Sequence, residues 1–108
     1  SIAPAADAIR VTGNDIAGSV TSSNGPEAGV WVIAETHDLE TLYSKTVVTD
    51  DQGRYLIPDL PEANFELWVR GYGLVDSSRT NANPGQRLDL IAQIAPSAAA
   101  AAEYYPAG

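Results

Sequence analysis

One stretch of this chain, Thr49 to Pro61, constrains the fold more than any other, and it reads TDDQGRYLIPDLP. Gly53 supplies the positive φ angle that a tight turn needs, and Asp50 can accept hydrogen bonds from the backbone N–H groups two residues on. Tyr55 and Ile57 then share one face of a short strand, and the two prolines prevent that strand from continuing. The stretch therefore predicts a strand end, a tight turn and a second strand. It indicates an architecture and not a reaction.

Alternation of side-chain types predicts further strands on both sides of this stretch. Thr41 to Thr49 is rich in β-branched and aromatic residues, and Asn83-Pro84-Gly85 fits a type II turn. No helical periodicity is long enough for a βαβ unit. We therefore predict an all-β fold, an antiparallel Greek-key sandwich of about seven strands. The residues expected to face its core, besides Tyr55 and Ile57, are Ile16, Gly18, Val20, Val30, Val32, Ala34, Phe65, Leu67, Val69, Leu88, Leu90, Ala92 and Ile94.

The length of 108 residues fits one domain with two flanking segments. Residues 1–14 form an Ala-rich arm in which Ile9 and Val11 alternate with other residues, as a short edge strand would require. The sandwich itself is expected over residues 15–95. Residues 96–108 form an Ala-rich tail or linker, and Ser97 could cap a short helix there.

The charge of the chain narrows the classes of partner. A net charge of -8 and a pI near 4.2 argue against nucleic acid and against anionic membranes, because both attract Lys and Arg. No stretch approaches the ~20 apolar residues of a membrane span. The chain has no cysteine, which rules out disulfides, thiolate zinc sites and thiol catalysis.

A set of turn and core residues carries a resemblance to a known family. They are Gly18-x-Val20, Gly25-Pro26-x-Ala28-Gly29-Val30-x-Val32, Thr49-Asp50-x-x-Gly53-Arg54-Tyr55-x-Ile57-x-x-Leu60-Pro61, Phe65-x-Leu67-x-Val69 and Gly71-Tyr72. With these residues the chain resembles the carboxypeptidase regulatory-like domain from about Asp15 to Tyr72. The resemblance implies a transthyretin-like (prealbumin-like) sandwich. It also implies a non-catalytic accessory module in secreted, periplasmic or surface multidomain proteins. The longer tail through Tyr104 and Tyr105 suggests a bacterial protein.

Relatives of this fold that have activities need residues that this chain lacks. Transthyretin-like hydrolases of urate breakdown use several histidines and a C-terminal Tyr-Arg-Gly-Ser signature, and intradiol dioxygenases hold iron with two Tyr and two His. This chain has one histidine, His37, and ends Tyr-Tyr-Pro-Ala-Gly. Domains with internal isopeptide bonds need a lysine near an early strand, an Asn or Asp on the last strand and a Glu between them. Glu66 and Asp89 are conceivable partners, but the single lysine, Lys45, belongs to the third strand, which does not fit that pattern.

The remaining polar candidates have simpler explanations as solvated loops and turns. His37 lacks the companions that a zinc site needs, so we interpret it as a loop histidine. Asp50 and Asp51 offer too few oxygens for calcium, which takes ~6–8. Ser77 and Ser78 lie outside any Gly-x-Ser-x-Gly elbow. We therefore expect no catalytic residues, no cofactor and no metal.

Two tryptophans are the most informative residues for function. If Val30 and Val32 face the core, alternation places Trp31 and Ile33 outside, and the same pattern places Trp68 outside beside Arg70. Three explanations are open for this surface: it is covered by the arm or the tail of the same chain, it docks a neighbouring domain or protein partner, or it stacks against a polysaccharide. We predict an interaction surface made of Trp31, Ile33, Trp68 and Arg70. The sequence leaves the partner and the oligomeric state open.

Overall fold

The computed structural model describes residues 11–96, and the regular structure in that range is β-sheet. No helix in the same range is long and apolar enough to cross a membrane. The strands are β1 (Ile16–Ser22), β2 (Gly25–Pro26), β3 (Trp31–Thr36), β4 (Tyr43–Val48), β5 (Arg54–Ile57), β6 (Phe65–Arg70), β7 (Leu74–Val75), β8 (Thr80–Ala82), β9 (Leu90–Ile91) and β10 (Gln93–Ile94).

The strands form two main layers. Sheet I has the order β4-β3-β6-β8, and all of its neighbours are antiparallel. Sheet II has the order β2-β1-β5, with β9 also paired to β1. The chain crosses from sheet I to sheet II between β4 and β5 and returns to sheet I at β6, as in Greek-key sandwiches. A small pair, β10 and β7, lies beside them.

The core lies between the two sheets and is aliphatic, with two aromatic rings. Tyr55 and Phe65 are its largest fully buried side chains. Its other members are Ile16, Val20, Val30, Val32, Ala34, Ile57, Leu60, Leu67, Val69, Leu74, Ala82, Leu90 and Ala92. The core face predicted from alternation is therefore confirmed for β1, β3, β5 and β6.

The turn between β4 and β5 is built as its sequence predicts. The Asp50 carboxylate accepts hydrogen bonds from the backbone N–H groups of Gln52 (2.9 Å) and Arg54 (2.8 Å). Gly53 has a φ of 74°, and a Cβ there would lie 2.6 Å from the Val20 carbonyl oxygen. Both the backbone angle and the close approach therefore require glycine at this position.

Thr49, which follows β4, is hydrogen-bonded to the segment that leads into β3. The hydroxyl of Thr49 donates to the carbonyl of Glu27 (2.6 Å) and accepts from the N–H of Val30 (3.1 Å). Thr49 is buried, so each of these bonds satisfies a polar group that is removed from water. This threonine fixes the start of β3 against the end of β4.

Sheet II contains a close contact between residues 87–91 and β1 that no sequence pattern predicts. Residues 87–91 run parallel to β1, with Val20 opposite Leu90. A Cβ on Gly18 would lie 1.7 Å from the Leu88 carbonyl oxygen, so only glycine fits there. The same carbonyl accepts the hydroxyl of Tyr55 at 2.6 Å. Burial, aided by the negative charge of Asp89, raises the pKa of Tyr55.

Two details of the strand prediction need correction. The sandwich has ten strands in residues 11–96 where about seven were expected, because several are only two residues long. The predicted last strand, with Leu88, Leu90, Ala92 and Ile94 on one face, is divided into β9 and β10, and β9 is parallel to β1 where antiparallel pairing was expected.

The type II turn at residues 83–85 is confirmed by a φ of 94° at Gly85 and by the bond from Gln86 N–H to the Asn83 carbonyl (3.1 Å). The predicted edge strand near Ile9 and the predicted helix after Ser97 fall outside the described residues.

Candidate functional site

The outer face of sheet I carries the side chains that alternation placed there. Along β3, Val32 and Ala34 are fully buried, Ile33 between them is partly exposed, and Trp31 before them is 50% exposed. Along β6, the inward residues are fully buried and Trp68 is partly exposed. Neither indole packs between the two sheets, so the predicted alternation is confirmed.

The register of the strands brings these outer side chains into rows. Ile33 lies opposite Trp68 across β3 and β6, and Trp31 lies opposite Arg70. On its other side Trp31 lies opposite Val48 of β4, which is 55% exposed. Cross-strand neighbours have Cβ atoms ~4.5–5.5 Å apart, so these side chains form one continuous surface. We call the four apolar residues Trp31, Ile33, Val48 and Trp68 the outer patch.

One end of the outer patch is covered by an arginine. The guanidinium carbon of Arg79 lies 4.0 Å from the centroid of the Trp68 ring. The same guanidinium is 2.9 Å from the carboxylate of Glu35 and 3.6 Å from that of Glu66, which face each other across β3 and β6. The two carboxylates hold the cation over the ring, where the quadrupole of the indole attracts it. Trp68 is therefore partly capped.

The other charged edge of the outer patch is an ion pair beside β6. The Nε and Nη2 atoms of Arg70 contact the carboxylate of Asp76 at 3.0 Å and 2.5 Å, in a bidentate arrangement. Ser77 follows, and its hydroxyl accepts the N–H of Val69 (2.7 Å) while its own N–H donates to the Val69 carbonyl (3.1 Å). These two hydrogen bonds hold the segment after β7 against β6. Arg70 is a rim residue whose charge is compensated within the chain.

Within residues 11–96, the polar side chains that could form a metal site or an isopeptide bond are not brought together in space. His37 is largely exposed and lies 3.4 Å from Glu35. Among residues 11–96, no three His, Asp or Glu side chains are grouped closely enough to hold a metal ion. Lys45 donates to the Pro58 carbonyl at 2.5 Å, whereas Glu66 lies on the opposite face of sheet I and Asp89 binds Ser19. The set that an isopeptide bond needs is not assembled in these residues.

Two members of the surface were not predicted from sequence. Val48 stands in a run of β-branched residues where either face was possible, and only its register with Trp31 assigns it to the outer patch. Arg79 precedes a three-residue strand and reaches Trp68 across the sheet. Contacts of this kind depend on tertiary packing and leave no local signal.

Comparisons with known proteins identify the fold alone. Neither the protein-family models nor the curated proteins searched gave a match. Solved structures do match. The catechol 1,2-dioxygenase of Pseudomonas arvilla C-1 has a TM-score of 0.59 at 13% identity, covering 86% of this chain and 56% of that one. A streptococcal ancillary pilin has a TM-score of 0.61 at 13% identity, covering 78% and 30%. A cohesin–X–dockerin complex of Acetivibrio cellulolyticus has a TM-score of 0.57 at 15% identity, covering 80% and 61%. The chain thus spans less than two thirds of each of these structures.

Proposed function

We propose that this chain is a non-catalytic accessory domain of an exported bacterial multidomain protein, and that it docks a neighbouring domain or protein partner through the outer patch. The observation that carries the proposal is the adjacent pair Trp31 and Val48. Both side chains are about half exposed and lie directly opposite each other on the outer face of sheet I. An exposed aromatic beside an exposed aliphatic residue is typical of a contact surface.

The surroundings of the pair support a protein partner. Arg70 with Asp76 lies on one side of the outer patch, and Arg79 with Glu35 and Glu66 lies on the other. An apolar centre with a charged rim is the usual arrangement of a protein interface. Because these rim charges are already paired, a partner need not bring a strong opposite charge.

The resemblance to the carboxypeptidase regulatory-like domain supports the accessory role and the secreted or periplasmic location. The structural neighbours have the same fold, and their names include an ancillary pilin and a cohesin–X–dockerin complex. The fold also occurs in a dioxygenase, so it does not decide activity. The proposal that this chain is not an enzyme rests on its side chains, namely a single exposed histidine with one acidic neighbour.

A carbohydrate-binding module was the alternative function. Sugar rings stack on open aromatic faces, and a platform would use both tryptophans. Arg79 occupies one face of Trp68, which leaves Trp31 as the accessible ring. This contact argues for the protein partner. A fluorescence titration across a panel of polysaccharides tests the alternative, and saturable quenching that Trp31→Ser removes would favour it.

The docking proposal is tested by titrating the chain with each domain encoded next to it in its gene. We expect saturable binding to one of them, and we expect Trp31→Ser combined with Val48→Ser to weaken it at least about ten-fold, as for central interface residues. Ile91→Ser is the matched control, because this residue is 81% exposed and lies on sheet II. Binding that the double variant leaves unchanged would contradict the proposal.

A further inference from the structure

The free edge of sheet I is a second surface suited to assembly. In the described part of the chain, β4 pairs only with β3, and it has six residues where the edge strands β5 and β8 have four and three. Its register with β3 runs one to one from Tyr43 to Val48, so it contains no bulge, and it contains no proline. Short length, bulges, prolines and inward-pointing charges are the usual protections of an edge strand. Of these, β4 has one inward-pointing charge, Lys45, whose ammonium group donates to the Pro58 carbonyl.

The hydrogen bonds of the neighbouring pair show which groups of β4 are unpaired. The N–H of Thr49 donates to the Val30 carbonyl at 2.9 Å. Because backbone groups alternate in direction along an antiparallel strand, those of Ser44, Thr46 and Val48 point away from β3. These three residues are exposed, and within residues 11–96 no hydrogen bond to their outward backbone groups is found. The edge therefore offers three N–H donors and three carbonyl acceptors at a two-residue spacing.

We propose that β4 pairs antiparallel with β4 of a second copy of this chain, about a two-fold axis at Thr46. This register sets Thr46 against its own counterpart and Ser44 against Val48, so that all the free donors and acceptors are used. Centring on Lys45 would place two like charges directly opposite each other, which is destabilising. Centring on Val47 would place Ser44 opposite Asp50, whose N–H is already used within its own turn.

The charges at this edge do not oppose a second copy, although the chain as a whole is acidic. Each copy carries a net charge of -8, so two copies repel over most of their surface. No acidic residue occurs from Tyr43 to Val48, and the ammonium group of Lys45 is directed to the carbonyl of Pro58, just after β5. Thr–Thr pairs across antiparallel strands are also favourable. The edge is thus self-complementary in hydrogen bonding and free of acid-on-acid contact.

The dimer would join two four-stranded sheets edge to edge. Because paired residues point to the same side of an antiparallel sheet, both outer patches would lie on one face. The edge contact is small, so we expect a weak dimer, with a dissociation constant of about 10 µM to 1 mM. Salt screens the repulsion between the two acidic copies, so association should strengthen between low salt and about 0.5 M salt.

Sedimentation equilibrium of the full chain over about 10 µM to 1 mM tests the proposal. We expect Thr46→Pro to weaken self-association at least about ten-fold, because it removes a donor on the free edge. The intrachain ladder does not use that N–H, so the fold should tolerate proline there. Thr46→Val keeps the backbone donor and loses only the Thr–Thr side-chain pair, so it should associate much more tightly than Thr46→Pro. Circular dichroism and urea midpoints verify that each variant is folded.

A charge pair at position 46 tests the register without proline. Thr46→Lys and Thr46→Glu should each associate more weakly than the unmodified chain, and an equimolar mixture of the two should associate at least about ten-fold more tightly than either alone. A chain that stays monomeric to about 1 mM would overturn the proposal. So would association that Thr46→Pro leaves unchanged, or a mixture no tighter than its components. None of these outcomes bears on docking at the outer patch, which uses the face of the sheet.

Discussion

Arg79 lies over the ring of Trp68, with its guanidinium carbon 4.0 Å from the ring centroid, and this contact separates two tryptophans that the sequence presents alike. Trp68 becomes part of the sheet's own packing, while Trp31 stays half exposed beside Val48. The accessible part of the outer patch is therefore its Trp31 side.

Removing the cap should expose Trp68 at a small cost in stability. We expect Arg79→Ala to lower the free energy of unfolding by about 0.5–1 kcal/mol, the usual size of an exposed cation–π contact with its ion pairs. In a Trp31→Phe background, fluorescence then comes from Trp68 alone, and its quenching by acrylamide should increase. Arg79→Lys is the control, because it keeps the charge. Unchanged quenching in Arg79→Ala would contradict the capping contact.

The close contact between Gly18 and the Leu88 carbonyl predicts that adding one methyl group at residue 18 lowers the stability of the domain. Gly18→Ala would place a Cβ 1.7 Å from the Leu88 carbonyl oxygen, so we expect it to destabilise the domain by about 2–3 kcal/mol or more. Gly13→Ala is the matched control, because a Cβ there meets no atom within 4 Å. Urea denaturation measures both. Equal midpoints for the two variants would show that residues 87–91 do not pack against β1 as described.

The turn after β4 should stabilise the domain in a pH-dependent way. Partial desolvation raises the pKa of Asp50, but the hydrogen bonds from Arg54 and Gln52 outweigh it and lower the pKa below its usual 3.8. Its contribution is therefore present above pH 3.8 and is lost as the pH falls through the lower, folded-state pKa. We expect Asp50→Asn to cost about 1–2 kcal/mol at pH 7. The difference between variant and unmodified chain should shrink on acidification, and a difference independent of pH would contradict this account.

Tyr55 should make the stability of the domain fall as the pH rises into the alkaline range. Burial first, and then the charge of Asp89, raises the pKa of this phenol above 10, so the folded state favours the neutral form. Its contribution is complete below pH 10 and is lost as the pH rises above the unfolded-state value. We expect Tyr55→Phe to be less stable at pH 7, because the Leu88 carbonyl loses its partner, and to lose less stability above pH 10. Parallel alkaline denaturation curves would contradict the assignment.

Much of the fold could be predicted from sequence because its determinants are local. Alternation along β3 and β6 placed Trp31 and Trp68 outside, and the residues around Gly53 specified a turn. Contacts between distant segments could not be predicted in the same way. The position of Arg79 over Trp68 depends on the path of the chain from β7 to β8, and the parallel pairing of β9 depends on Gly18 admitting the Leu88 carbonyl.

The central claim is that Trp31 forms the accessible centre of a docking surface. Acrylamide quenching of a Trp68→Phe chain, in which Trp31 is the remaining tryptophan, measures that accessibility directly. We expect strong quenching in the isolated chain and clear protection when the same chain is part of its parent protein or bound to its partner. Equal quenching in both states, or protection already present in the isolated chain and relieved by deleting residues 97–108, would contradict the account.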